Sequence, residues 1–512
     1  MMRVTKEMQS FKHKNRARIL MILFIISLLP IIYCSFFNYA TGDDLWEGAV
    51  AYRILQSGGS LKELFNSVFE WMKVDYFGWQ GNWSSTFLWC FSPNVFGEKV
   101  YIVTAWIGLA SIVGGNWYFM KYFNKKYLKF EHDILVLVYI LVCFFSIQYM
   151  PYIRGGIFWY SAMINYTFPY GVTLAAFVWI DKWMEDGKWK YLLYLCLFYT
   201  FLGGSGYLCI VLNFEIIVLI VIKSMINKDK NRKKRSLFML LPLILLMVGF
   251  IISLLSPGNA VRGGDSYEFG IVKVLNTLCQ CIIEGASAIP RNFWEIKLFV
   301  VILPFLTVLL WNTLNTKLCT FKFENPVVAT ILIYLIYCSV YAPGIYSESD
   351  LSGGVYDTIY FVFVLSYFMI VLYWIGYIKN KVNEEKDSML SWIKKIDVIQ
   401  LEKVVAILTI VICVLGANFL FSSTACKLSY DFIVTGQLAD FEEQMQERLA
   451  ILNDPEIQYV VLPEMNDQQG PLMHMPLMAD PNAYTNHATA RFYGKESVVA
   501  IPRDEYNRLY SK

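Results

Sequence analysis

Apolar runs of about 20 residues recur along the 512-residue chain, and a helix of that length crosses the hydrocarbon core of a bilayer. Hydrophobic residues make up 56% of the sequence and charged residues only 17%, whereas a soluble domain carries about 25% charge. The pattern therefore predicts an all-α polytopic membrane protein embedded in a lipid bilayer and excludes a string of soluble domains. The candidate spans, about eleven in all, lie at 17–37, 100–120, 133–150, 168–182, 190–203, 206–223, 237–255, 296–312, 326–343, 357–378 and 403–422.

Basic residues collect in alternate loops between these spans. They follow the second span at 121–129, the sixth at 223–235 and the tenth at 379–395, and the N-terminal segment is basic as well. Short loops rich in Lys and Arg stay in the cytoplasm, so the N-terminus is predicted to be cytoplasmic and the tail external. The near balance of 44 basic and 41 acidic residues gives no electrostatic basis for binding nucleic acid.

Two external regions have patterns of their own. We expect a transmembrane domain at 1–422, which includes the external loop 38–99, and an external C-terminal domain at 423–512. Apolar residues at helical spacing predict amphipathic surface helices at 45–54, 61–72 and 268–284. In the tail, a helix at 440–452, a strand at 458–463, a helix at 482–491 and a strand at 497–501 predict a small α/β appendage.

The acidic residues just beyond the first span are the best candidates for catalysis. Asp43 and Asp44 are adjacent, and Glu47 follows one helical turn later. A partly dehydrated carboxylate has a raised pKa that suits a general base, and Asp43 and Asp44 could instead bind a divalent cation, Mg²⁺ or Mn²⁺. The alternative is a solvated helix start, where Asp is common.

Aromatic and amide side chains later in the same loop are candidates for sugar binding. Trp79 and Trp83 flank Asn82, and indole rings combine an apolar face with a polar edge. The alternative for these tryptophans is an anchor at the membrane interface.

Two short turns on the predicted external side each contain an isolated arginine. Arg154 precedes Trp159, Asn165 and Tyr166, and Arg262 follows Asn259 in a Pro-Gly-Asn turn. A guanidinium group on this sparsely basic side can bind a phosphate. For Arg154, the alternative is snorkelling to lipid headgroups.

The order and sidedness of these motifs resemble the GT-C superfamily of integral-membrane glycosyltransferases, specifically a bacterial family related to glucosyltransferases that decorate surface polysaccharides. The segments that carry the resemblance are Asp43-Asp44, Trp79-Gln80-Gly81-Asn82, Phe158-Trp159 with Asn165-Tyr166-Thr167-Phe168-Pro169, Pro257-Gly258-Asn259 with Arg262, and the tail segment Asn486 to Gly494. The chain departs from the family pattern at Asn82, where an Arg is typical, and after Gly204-Ser205, where a Glu is often found.

The resemblance implies a GT-C-like fold in a bacterial plasma membrane and inverting transfer of a hexosyl or pentosyl group. The donor would be a polyprenyl-phosphate-linked sugar, the acceptor a cell-envelope glycan or another group on the outer face, and the base Asp43 or Asp44. A polysaccharide polymerase or ligase is a competing class, as is a transporter or flippase of lipid-linked glycans. Such a transporter would be expected to carry polar groups within its spans, and few charges occur there.

Overall fold

The computed structural model describes residues 2–226, 229–264, 270–348, 351, 353–384, 397–466 and 468–510, with side chains from residue 13 onward. Within these residues the chain is almost entirely helical, and its strands are two five-residue segments of the tail. This agrees with the predicted all-α polytopic class.

The described residues up to Leu254 form twelve α-helices. They are α1 Met2–Ser35, α2 Asp43–Gln56, α3 Leu61–Gly78, α4 Trp83–Trp89, α5 Val103–Phe123, α6 His132–Gln148, α7 Tyr160–Asn165, α8 Thr167–Asp186, α9 Trp189–Gly203, α10 Tyr207–Ile226, α11 Lys230–Phe238 and α12 Leu240–Leu254. Short 3-10 helices cover Pro93–Phe96 and Glu98–Ile102, and π-helical turns cover Asn124–Leu128 and Arg154–Phe158.

The second half continues with helices and ends in the α/β tail. Its helices are α13 Pro257–Gly263, α14 Ile271–Glu295, α15 Leu298–Thr313, α16 Pro326–Ser339, α17 Ala342–Tyr346, α18 Gly353–Asn383, α19 Val398–Leu415, α20 Ala417–Leu420, α21 Ala425–Val434, α22 Gln437–Leu452, α23 Tyr484–Tyr493 and α24 Arg503–Tyr510. The strands are β1 Tyr459–Pro463 and β2 Ser497–Ile501, and they pair in parallel with Val461 opposite Val499.

Eight helical segments of the described chain are long and apolar enough to cross a bilayer. They are His13–Ser35, Glu98–Leu128, Tyr160–Asp186, Tyr207–Ile226, Lys230–Leu254, Ile271–Glu295, Gly353–Asn383 and Val398–Leu415. Three predicted spans form shorter apolar helices, namely α6, α15 and α16, and the predicted span at 190–203 forms the 15-residue α9. The protein is therefore a polytopic membrane protein, and the count of about eleven spans stays a prediction.

Helix α14 contains the predicted amphipathic helix at 268–284, of which 268 and 269 lie outside the described residues. It runs without a break for 25 residues from Ile271 to Glu295, and its length and apolarity also meet those of a span, so its place on the membrane surface stays a prediction. Its apolar side chains are exposed, Ile271 at 75% and Leu278 at 53%, as expected of a helix that contacts lipid. The helix extends past the predicted end at 284, with Pro290 in its interior.

Close packing of small residues joins the helices that support the site. Helices α5 and α8 meet at Gly115 and Gly171, where a Cβ atom on Gly171 would collide with the backbone of Ser111. Membrane helices approach this closely where both surfaces carry small residues. This contact holds α5 against α8. We call the end of the bundle at which Asp43 lies the Asp43 end.

The tail and the first loop share an apolar core at the Asp43 end. Leu45 and Ala49 of α2 pack in one buried cluster with Ala488 and Phe492 of α23. The ring of Phe492 stacks on Tyr52, with ring centroids 4.1 Å apart. This packing holds α23 against α2 and brings tail side chains to the predicted acidic motif.

Candidate functional site

Asp43 is the first residue of α2 and is partly exposed. Its Oδ1 atom accepts a hydrogen bond of 2.6 Å from the hydroxyl of Tyr484 on α23. Desolvation raises the pKa of Asp43, while the hydrogen bond from Tyr484 and the charge of Arg262 lower it. Desolvation is the larger effect, so the pKa of Asp43 is raised although its carboxyl group remains accessible to solvent.

Asp44 has a different environment because neighbouring side chains on a helix point about 100° apart. Its side chain is fully buried, so a solvated helix start does not describe it. Oδ1 accepts hydrogen bonds from the backbone N–H of Ser161 at 2.9 Å and from its hydroxyl at 2.5 Å, and Oδ2 accepts one from the hydroxyl of Tyr101. Burial raises the pKa of Asp44 to about 7. Asp44 thus joins α2 to the transmembrane helices.

Glu47 and Asp75 add two buried carboxyl groups beside Asp43. Glu47 lies one turn after Asp43, and its Oε2 accepts a hydrogen bond of 2.6 Å from the indole N–H of Trp71. Asp75 accepts a hydrogen bond of 2.7 Å from the hydroxyl of Thr86. Burial, with the negative charge of Asp75, raises the pKa of Glu47 well above its ordinary value, and burial raises the pKa of Asp75 to about 6.

Arg491 of α23 covers the outer side of this acidic group. Its guanidinium carbon lies 3.7 Å from the ring centroid of Trp71 and 4.4 Å from that of Trp46. Its charge also lowers the pKa of Glu47, against the larger effect of burial. Stacking on two indoles is worth about 1–2 kcal/mol when the cation is partly desolvated.

Arg262 brings a second cation to the site. Its guanidinium carbon lies 5.6 Å from the ring centroid of Trp79, and it donates a hydrogen bond to the side chain of Gln80. Its charge lowers the pKa values of Asp43 and Asp75, each of which burial raises overall. Arg262 itself is exposed, and Trp79 is 50% exposed, so both remain accessible to a ligand.

Asn259 holds the turn that carries Trp79. Its Oδ1 accepts a hydrogen bond of 2.9 Å from the N–H of Gly81, and its Nδ2 donates one of 2.7 Å to the carbonyl of Ser253. The hydroxyl of Ser253 in turn donates to the carbonyl of Gly81 at 2.6 Å. Asn259 therefore contacts the protein backbone and positions the loop on which Trp79 and Arg262 meet.

Asn82 and Trp83 lie deeper than Trp79. The Oδ1 atom of Asn82 is buried without a hydrogen-bond partner among the described residues. The indole N–H of Trp83 donates to the carbonyl of Gly249 at 3.2 Å, and its ring lies against Gly204. Trp83 thus packs α4 against α9 and α12, whereas Trp79 presents its ring to solvent.

The predicted site residues of the 154–166 region occupy several positions around the Asp43 end. Arg154 donates from Nε to the carbonyl of Gly470 at 2.9 Å, which ties the tail to the bundle. Asn165 accepts a hydrogen bond of 2.5 Å from the hydroxyl of Ser85. Both are engaged with the protein itself.

Trp159 and Tyr166 complete the set of predicted residues. The indole N–H of Trp159 is buried and has no partner in the described part of the chain. Tyr166 is partly exposed, and its ring lies against Gly354 at the start of α18. Helix α18 therefore also contributes to the wall of the Asp43 end.

The acidic pair is also the predicted site of a divalent cation. Across the residues with described placement, no group of three or more His, Cys, Asp or Glu side chains is arranged to hold one. Asp43 and Asp44 point toward different elements, and Asp44 already accepts three hydrogen bonds. A Mg²⁺ or Mn²⁺ ion at Asp43 and Asp44 stays a prediction.

Several residues of the site are absent from the sequence prediction. Tyr484, Arg491 and Asp75 contact the acidic group from the tail and from the end of α3. Tyr484 is separated from Asp43 by 441 positions, so no local pattern connects them. Asp75 sits four residues before Trp79 and carried a local signal, an acid near the end of an amphipathic helix.

Fold and site together define a polytopic membrane protein with a polar site at one end of its helical bundle, where α2, α3, α4 and the tail helix α23 meet. The chain matches no protein-family model. It also matches no curated protein.

Proposed function

We propose that this protein is a membrane glycosyltransferase that moves a sugar from a polyprenyl-phosphate-linked donor to a cell-envelope glycan or another acceptor. The observation that carries the proposal is that Asp43, Arg262 and Trp79 meet at one site. A partly exposed carboxyl group of raised pKa lies within electrostatic reach of an exposed guanidinium group that stacks on Trp79. A general base and a phosphate-binding cation are the two groups that this reaction requires.

The proposed reaction is a single inverting displacement. Asp43 accepts the proton of the acceptor hydroxyl while the oxygen of that hydroxyl forms a bond to the anomeric carbon of the sugar. The bond between that carbon and the phosphate oxygen breaks, and its electron pair leaves with the lipid phosphate. Arg262 stabilises the negative charge that develops on this phosphate. Protons and charge balance without a further reactant.

The surroundings of Asp43 support its assignment as the base over Asp44. Asp44 is fully buried and accepts three hydrogen bonds from the protein, so an acceptor hydroxyl has no route to it. Asp43 accepts one from Tyr484 and keeps solvent access. In this proposal Asp44 is a positioning residue that fixes the start of α2.

The half-exposed ring of Trp79 supports a sugar substrate. Its indole lies beside Arg262, so a phosphate held by the guanidinium places the attached sugar near an aromatic face. The mixed setting of an apolar ring and a few convergent polar groups is usual in sites for small molecules.

The proposal places the Asp43 end outside the cell. Lys126 and Arg235 lie at the other end of the bundle, where they contact the last turns of α8. Under the positive-inside rule that end is cytoplasmic, which leaves Asp43 and the tail on the outer face of a bacterial plasma membrane. The GT-C-like architecture and the remaining spans of the predicted eleven belong to this same proposal.

Deletion of the gene in its own cell, followed by mass spectrometry of the envelope glycans, tests the proposed function. We expect loss of one sugar residue from one glycan and build-up of the corresponding lipid-linked sugar. Complementation with the wild-type gene should restore the sugar, and so should the control Asp504→Asn, which changes an exposed tail carboxylate. An unchanged glycan profile with the donor lipid present would refute the proposal.

The same experiment separates the competing classes. A polymerase or ligase would shorten or detach the whole glycan, whereas the proposed enzyme removes a single substituent. A flippase would trap the lipid-linked sugar on the cytoplasmic side of the membrane. Either of these two results would replace the transferase assignment.

A further inference from the structure

A cavity of about 770 Å³ opens at the end of the bundle opposite to Asp43. Its walls are apolar and come from α5, α6 and α18, with Phe119, Leu135, Val138, Phe368 and Leu372 among the lining residues. Helix α5 begins beside Tyr101, which contacts Asp44, and it reaches the cavity at Phe119, about 24 Å further along its axis. The cavity is therefore separate from the site described above.

Charged side chains form the mouth of this cavity, and several of them already have partners. Lys126 makes ion pairs of 2.6 Å with Asp181 and 2.7 Å with Glu185. Arg235 donates to the backbone carbonyls of Met184 and Glu185. Asp229 also lines the mouth.

Two cations of the mouth differ from the others. Lys223, near the end of α10, and Arg232, on α11, both line the cavity and are both exposed. Within the described residues neither side chain has an ion-pair partner, whereas Lys126 of the same mouth pairs with two acids. Two exposed cations at the mouth of an apolar cavity are complementary to a molecule with an anionic head and an apolar chain.

We propose that this cavity binds an anionic phospholipid of the adjacent membrane leaflet, with an acyl chain between α6 and α18 and the phosphate at Lys223 and Arg232. The volume lies within the range of about 300–1,000 Å³ that is usual for ligand sites. Each Lys or Arg at the membrane surface is worth about 1 kcal/mol toward an anionic headgroup. The site is independent of the proposed transfer reaction.

Native mass spectrometry of the full-length protein in an uncharged detergent, titrated with phosphatidylglycerol, tests the site. We expect Lys223→Gln and Arg232→Gln each to weaken binding about fivefold and the double variant to weaken it about 25-fold. The matched control is Lys230→Gln with Lys234→Gln, two exposed lysines of α11 that do not line the cavity, and it should bind as the wild type does.

A second variant tests the apolar part. Val138→Trp fills the cavity and should abolish lipid binding. Val411→Trp, on an exposed face of α19, should leave lipid binding unchanged. If Val138→Trp fails to fold, the charge variants decide alone. Equal affinity of the double charge variant and the wild type would overturn the proposal. Competition by glycerol 3-phosphate at the same concentration as the lipid would also overturn it, because the chain would then contribute nothing.

Discussion

Replacement of Asp44 by Ala provides a quantitative test of how the site is held. The change removes an acceptor of three hydrogen bonds and leaves the hydroxyl of Tyr101 and the N–H of Ser161 buried without it. A buried donor that loses its partner costs about 1–3 kcal/mol, so we expect a total of about 2–6 kcal/mol for the two donors. At about 2.1 cal/mol/K per residue over 512 residues, this lowers the melting temperature by about 2–6 °C.

Two further variants make this prediction specific. Asp44→Asn keeps one oxygen that accepts from Ser161, so we expect it to cost only about 1 kcal/mol. Asp43→Ala removes one partly exposed hydrogen bond to Tyr484 and should leave the melting temperature within about 1 °C of the wild type. Thermal unfolding followed by intrinsic tryptophan fluorescence measures all three. A larger loss of stability for Asp43→Ala than for Asp44→Ala would refute the positioning role of Asp44.

Three other perturbations test separate parts of the structure. Gly81→Ala would push a methyl group into the carbonyl of Ser253, so we expect a loss of about 1–3 kcal/mol, measured by the same thermal assay. Arg491→Ala removes the cation stacked on two indoles, and limited proteolysis should then cut the tail faster than in the wild type. The pKa of Asp44 is about 7 in the folded protein and about 3.9 when unfolded, so its contribution to stability is complete below about pH 4 and is lost as the pH rises through 7. Melting temperatures between pH 5 and 8 should therefore fall less in Asp44→Asn than in the wild type.

The helices of the first loop were predictable because their signals are local. Helices were expected at 45–54 and 61–72 and are observed at Asp43–Gln56 and Leu61–Gly78. The start of the second is fixed by a capping box, in which Ser60 and Glu63 bond each other's backbone. Both tail strands were also predicted closely, since alternation of apolar residues has a range of a few positions.

The contacts of the site could not be predicted in this way. The burial and hydrogen bonding of Asp43 and Asp44 depend on the residues that face them. These residues lie on α7, at the start of the second span and on α23. Adjacent acids in a sequence therefore looked like a pair, whereas the helix turns their side chains apart.

The measurement that tests the central claim most directly is sugar transfer by the Asp43→Asn variant at a protein level equal to that of the wild type. Removal of a general base typically lowers the rate by about 10²–10⁴-fold, so we predict that Asp43→Asn fails to restore the missing sugar in the deletion strain. Asp44→Asn, which keeps the position of α2, should restore it. Full restoration of the sugar by Asp43→Asn would contradict the account.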